Sequence, residues 1–187
     1  MPMTEMAIRL NQAIRHISIL VPLAFVLPAV FGQAVKLNAR PRPLDSGNSL
    51  SLSVSSSAVS FSLIAQGTAA GSGSVTISVS TGSSGTMNIY SYFTSANSAL
   101  TGQHSAVSIP SSAVLGQVTS GLPVSPTAFT QSTPFAGAAA GLELASARVM
   151  GAGSNYSYTL NFEINLTGLT IPADTYTGTL IIQAQEM

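Results

Sequence analysis

The clearest pattern in the chain is NYSYTLNFEINL, residues 155–166. Tyr156, Tyr158, Leu160, Phe162, Ile164 and Leu166 take every even position, and polar residues take every odd position from Ser157 to Asn165. A period of two puts one face of a strand in a core and the other in water. The closing stretch repeats it, with Tyr176, Leu180, Ile182 and Ala184 on one parity. Two such strands joined by a loop containing Gly168 and Pro172 are expected to be antiparallel neighbours.

Earlier segments carry the same rhythm. Leu50, Leu52 and Val54 alternate with serines, the phase slips over Ser55–Ala58, and alternation resumes at Val59, Phe61 and Leu63. Such a slip predicts a turn or bulge where the strand changes partner. Glycine-rich QGTAAGSG (66–73) reads as a turn before Val75, Ile77 and Val79, and TGSSG (81–85) as another. In TMNIYSYF (86–93), Met87, Ile89 and Phe93 share one parity while Tyr90 and Tyr92 share the other, so bulk on both faces predicts a central strand. Residues 94–140, with Pro110, Pro123, Pro126 and Pro134, read as two short strands and long loops. AAAGLELASARVM (138–150) fits either a short helix or an edge strand; its glycine and its neighbours favour strand. The sum is an all-β, immunoglobulin-like antiparallel sandwich of about 7–9 strands over residues 49–187.

The first 34 residues stand apart. A polar start with Arg9 and Arg15 leads into ISILVPLAFVLPAVF (17–31), then GQA (32–34) with small residues suited to cleavage after Ala34. The apolar run is short of the roughly 20 residues a membrane span needs, and Pro22 and Pro28 disfavour a spanning helix. The expectation is a signal peptide over 1–34, a proline-containing linker over 35–48, and a product exported through the Sec route to the cell surface or beyond. There is no cysteine, so disulfides, lipidated cysteine and thiolate metal sites are excluded.

Charge changes the picture most. From Ser46 to Leu142 no charged side chain occurs, apart from whatever His104 carries, and the whole chain is formally neutral. Polyanion binding depends on lysine and arginine, so nucleic acid is excluded as a partner. Near-zero charge also removes the self-repulsion that keeps copies apart.

LSVSSSAVSFSLIAQGTAAGSGSVTISVSTG resembles the opening strands of bacterial immunoglobulin-like domains of the BACON type. LTGLTIPADTYTGTLIIQAQ is similar to their closing strand, with Asp174 at the position of that family's glycine, and to the closing strand of secreted fimbrial and spore-coat-like sandwich subunits. The resemblance implies a secreted immunoglobulin-like module, with carbohydrate binding as one associated role.

Candidate chemistry is sparse. His104 is the one histidine outside the leader, and Glu143, Glu163 and Asp174 are the only acids well inside the domain. No nucleophile motif, phosphate loop or clustered ligand set accompanies them, so no enzyme, metal or cofactor is expected. Glu163 is expected to face solvent. Tyr90 and Tyr92, and likewise Tyr156 and Tyr158, sit two apart on one face and could stack sugars, or could pack across strands. Pro172, Asp174 and Tyr176 read as a structural corner: proline fixes φ, Asp174 tolerates a left-handed backbone, and the Tyr176 hydroxyl ties back to the loop. Two functions remain open. One is a non-enzymatic surface subunit that associates with itself, in the manner of a pilin; the other is a secreted module that binds a surface polysaccharide through Tyr90 and Tyr92.

Overall fold

The computed structural model describes residues 50–55, 58–63, 66–82, 84–131, 140–150 and 153–186, and the backbone of 17–26. The linker at 35–48 and the cleavage site at Ala34 lie outside the described residues. The strands in chain order are β1 (Ile17–Val26), β2 (Leu50–Val54), β3 (Thr68–Ala70), β4 (Val75–Thr81), β5 (Ser84–Phe93), β6 (Leu100–Gly102), β7 (Ser108–Ile109), β8 (Val114–Thr119), β9 (Thr127–Ala128), β10 (Ala140–Met150), β11 (Ser154–Asn165) and β12 (Thr175–Glu186), with one 3₁₀ turn at Ser111–Ala113.

All pairings are antiparallel, and they make two sheets of six strands. In the first, β10 pairs β5 and β5 pairs β12; β6 and β7 follow, and β1 also pairs β12. In the second, β2 pairs β4, β4 and β3 both pair β11, and β11 pairs β8, which pairs β9. The inward parities meet in one core. Val75, Ile77 and Val79 face Met87, Ile89 and Phe93, joined by Leu160, Phe162, Leu180 and Ile182, all buried. The Phe129 ring meets Phe93 edge-on at 5.2 Å and stacks on Phe162 at 6.4 Å, so the segment after β9 supplies a central core aromatic.

The all-β sandwich expected from alternation is therefore the one that forms, with a central β5 and an edge strand β10. It has more strands than expected because the described residues of 94–140 hold four short strands, β6 to β9, where two were read. Another three-residue strand, β3, lies inside the glycine-rich turn. The slip after Val54 does change partners: β2 pairs β4, whereas Phe61 bridges Gly71.

One expectation fails. β11 and β12 are not neighbours; they belong to different sheets. Period two records the apolar face of each strand, but it cannot say which sheet that face belongs to. The connection Leu166–Asp174 carries the chain across the sandwich. Leu166 is buried, Leu169 and Ile171 pack against the core, and Gln66 Nε2 donates to the Leu169 carbonyl at 2.9 Å. Two side-chain bonds also join the sheets. The Thr81 hydroxyl donates to Glu186 Oε2 at 2.8 Å, and the Tyr156 hydroxyl to the Arg148 carbonyl at 3.3 Å.

Candidate functional site: the edge of the closing strand

β12 is the pivot of the first sheet. On one side its C-terminal half pairs β5, Ile181 opposite Tyr92 through Glu186 opposite Met87, and its N-terminal half pairs β6. A strand has only two hydrogen-bonding sides. Because β1 pairs Thr175 through Ala184 continuously, it must lie along the other side, over ten residue pairs from Val26–Thr175 to Ile17–Ala184. The segment that reads as the apolar core of a leader thus occupies a full edge of the closing strand.

The N-terminal end of β12 is locked by the predicted corner. Tyr176 is fully buried and its hydroxyl donates to the Pro172 carbonyl at 3.0 Å. Asp174 behaves otherwise than expected. The left-handed non-glycine residues among those described are Gln66 and Ser120, so Asp174 does not hold the turn by a positive φ. It holds the turn by its carboxylate. Oδ2 accepts the backbone N–H of His104 at 2.9 Å and of Ser105 at 2.6 Å, and Oδ1 accepts that of Thr175 at 2.7 Å. His104 Nδ1 lies 3.1 Å from Oδ1. Burial by itself raises the Asp174 pKa, but the N–H groups of Ser105 and His104, helped by the nearby Ser105 hydroxyl and His104 ring, outweigh it and hold the carboxyl below the usual carboxylate range. The Ser105 hydroxyl is buried beside the carboxylate without the alignment of a full hydrogen bond.

A histidine beside a buried aspartate invites a catalytic comparison. Here the ring is 78% exposed, and His104 makes its hydrogen bonds to Asp174 alone among the described residues. What the contacts do is structural: they clamp the loop after β6 to the start of β12. No group of three or more His, Cys, Asp or Glu able to hold a metal occurs among the described residues. No helix among them is long and apolar enough to cross a membrane.

The tyrosine pairs separate by face. Tyr158 is buried in the core side of β11 and Tyr156 packs beside it, so both serve packing. Burial, then the neighbouring Tyr156, pushes the Tyr158 phenol up. Tyr90 and Tyr92 point to the outer side of the first sheet, opposite in parity to Met87 and Ile89. Tyr92 is only 5% exposed and its hydroxyl donates to Gln183 Oε1 at 3.0 Å. Tyr90 is half-buried opposite Glu143; burial first, then that carboxylate, raises its pKa.

Sequence reasoning missed the β1–β12 pairing and the Asp174 clamp. The clamp joins residues 70 apart, and nothing in either local pattern announces the other. A sign was available at Asp174 itself, an acid in a chain with few of them, at the strand entry where its oxygens can accept free N–H groups.

No family model, no curated protein and no solved structure matches this chain.

Proposed function

We propose that this protein is an exported, non-enzymatic structural subunit that associates with further copies of itself at or beyond the cell surface, through the edge of β12. The observation that carries the reading is the ten-residue pairing of β1 along that edge. If residues 1–34 are removed on export, the N–H and C=O groups facing β1 lose their partners and become a template for another extended segment. Natural edges are blunted by charge, proline, bulges or shortness. β2 has five residues, β9 two, and β10 carries Glu143, Arg148 and a register shift between Glu143 and Ala145. Thr175 through Gln185 has none of these protections: no charge, no proline, no bulge against β1. The absence of net charge supports the same reading, as does the likeness of the closing strand to those of secreted fimbrial subunits.

The test is the particle mass of secreted residues 35–187 by size-exclusion chromatography with light scattering. Assemblies larger than one chain, growing with concentration, are expected. Thr177→Lys, an exposed position on β12, places a charge on the open edge and should shift the population toward single chains. A sharp one-chain mass at every concentration refutes the proposal.

A further inference from the structure

The second sheet presents an outer face unlike the rest of the molecule. On β11, Asn155, Ser157, Thr159, Asn161 and Glu163 take the outward parity. Register places Ser80 and Ser78 of β4 opposite Asn155 and Ser157, and Thr119 and Gln117 of β8 opposite Thr159 and Asn161. Beyond these, Ser51 and Ser53 of β2 face Ser80 and Ser78. The result is ranks of hydroxyls and amides, spaced by the roughly 4.8 Å between strands and about 7 Å along them, with Glu163 the one charge on β11.

Two shallow depressions lie on this face. One of ≈ 360 Å³ sits over Ser78, Ser80 and Ser157. The other, ≈ 380 Å³, is bounded by Asn161, Glu163, Gln117, Leu115, Pro126 and Gly73. The second has a structural cause. β4 pairs β11 only as far as Leu160, and β3 begins only at Glu163. At the gap the Gly71 N–H donates to the Phe162 carbonyl at 2.9 Å, and the next N–H, of Ser72, turns instead to the Ser60 carbonyl at 2.7 Å. Gly73 adds no side chain to fill the space, and a Cβ there would meet nothing within 4 Å.

The lining defines the ligand. The Gln117 Nε2 is held by the Val124 carbonyl at 2.8 Å, which fixes the amide and leaves its Oε1 as an acceptor. Asn161 and Glu163 are half-exposed, and their side chains make no hydrogen bond among the described residues. A carboxylate that accepts two hydroxyls, amides that donate and accept, and an apolar wall of Leu115 and Pro126 for a C–H face suit a sugar ring. No lysine or arginine lines either depression, and the carboxylate repels anions, so acidic polymers are disfavoured. A single carboxylate is too few for a divalent cation.

We infer that this face binds a neutral, hydroxyl-rich polysaccharide laid along β11, with Asn161, Glu163 and Gln117 ordering its hydroxyls at one end. The site lies on the sheet that does not contain β12, so it is independent of the edge proposed for assembly. It also differs from a platform at Tyr90 and Tyr92, which belong to the other sheet.

The experiment is affinity electrophoresis of the secreted protein through gels containing dextran, galactomannan or xyloglucan, with the acidic polymer alginate alongside. At least one neutral polymer should retard it and alginate should not. Asn161→Ala with Glu163→Gln should weaken retardation about tenfold or more, a loss of about 1.4 kcal/mol, with an unchanged urea midpoint. Gly73→Tyr, which fills the depression from an open position, should do the same and serves if the double variant does not fold. Tyr90→Ala should leave retardation intact. The proposal is overturned if no neutral polymer retards the protein, if alginate does so equally, or if the folded variants bind as well as the parent.

Discussion

At the scale of single residues, Asp174 shows how one side chain can organise two loops. Three backbone N–H groups converge on its carboxylate, from His104, Ser105 and Thr175, and Gly102 leaves the room: a Cβ there would strike the Ser105 hydroxyl and lie 2.7 Å from Asp174 Oδ2. The pH dependence follows from the lowered pKa. A carboxylate with a folded pKa below its unfolded value of 3.8 stabilises the fold above that value, and the contribution is lost as pH falls from there toward the folded pKa. Urea midpoints measured from pH 7 down to the acid limit should fall less steeply in Asp174→Asn than in the parent. The variant should also melt lower at pH 7, because an amide oxygen replaces a charged acceptor. Equal acid limbs would show that other carboxylates govern acid stability. The corner was legible at Pro172 and Tyr176, since the proline and the buried aromatic are local signs. The role of Asp174 was not, because its partners lie in another loop.

At the scale of elements, strand identity was legible in most of the long alternating stretches, although Val59–Leu63 alternates and forms only isolated bridges, one of them at Phe61. Residues 50–54, 75–81, 155–165 and the closing stretch all form strands with the expected inward parity. Short strands escaped, since β6, β7 and β9 span two or three residues and carry no period. They exist because longer strands offer them backbone partners. The approach of β6 to β12 illustrates this. Gly178 lies so close to the Ala99 carbonyl and the Leu100 side chain that a Cβ would overlap both. Gly178→Ala should therefore destabilise the fold by about 1–3 kcal/mol, the usual cost of overpacking, read as a lower urea midpoint with an unchanged slope. An unchanged midpoint would mean that β6 can move away from β12 at no cost.

At the scale of the whole molecule, low charge and the β12 edge that β1 covers both bear on the assembly proposed for residues 35–187. Contact through strand edges and uncharged faces depends on backbone hydrogen bonds and buried area, neither of which salt screens. Raising ionic strength from about 0.1 M to 1 M shortens the Debye length from about 10 Å to 3 Å. The assemblies expected of residues 35–187 should keep their light-scattering mass over that range. Dissociation by salt would instead assign their cohesion to the few charges the segment carries. Glycan retention on the second sheet should be equally insensitive, since Glu163 is the one charged group among the residues that define it.

Alternation along the chain determined that this protein is all-β and which side chains face inward, because burial of one strand face is a local property of period two. Composition determined where charge is scarce: no lysine or arginine occurs from Ser46 to Leu142, so that stretch offers a polyanion no basic partner. Only the tertiary structure decided that β11 and β12 lie in opposite sheets, that residues 17–26 run along the closing strand, that three backbone N–H donors converge on Asp174, and that a gap between β4 and β3 opens a groove beside Asn161 and Glu163. Each depends on which distant backbone completes a hydrogen-bonding edge, and a strand's own sequence fixes its faces but not its neighbours.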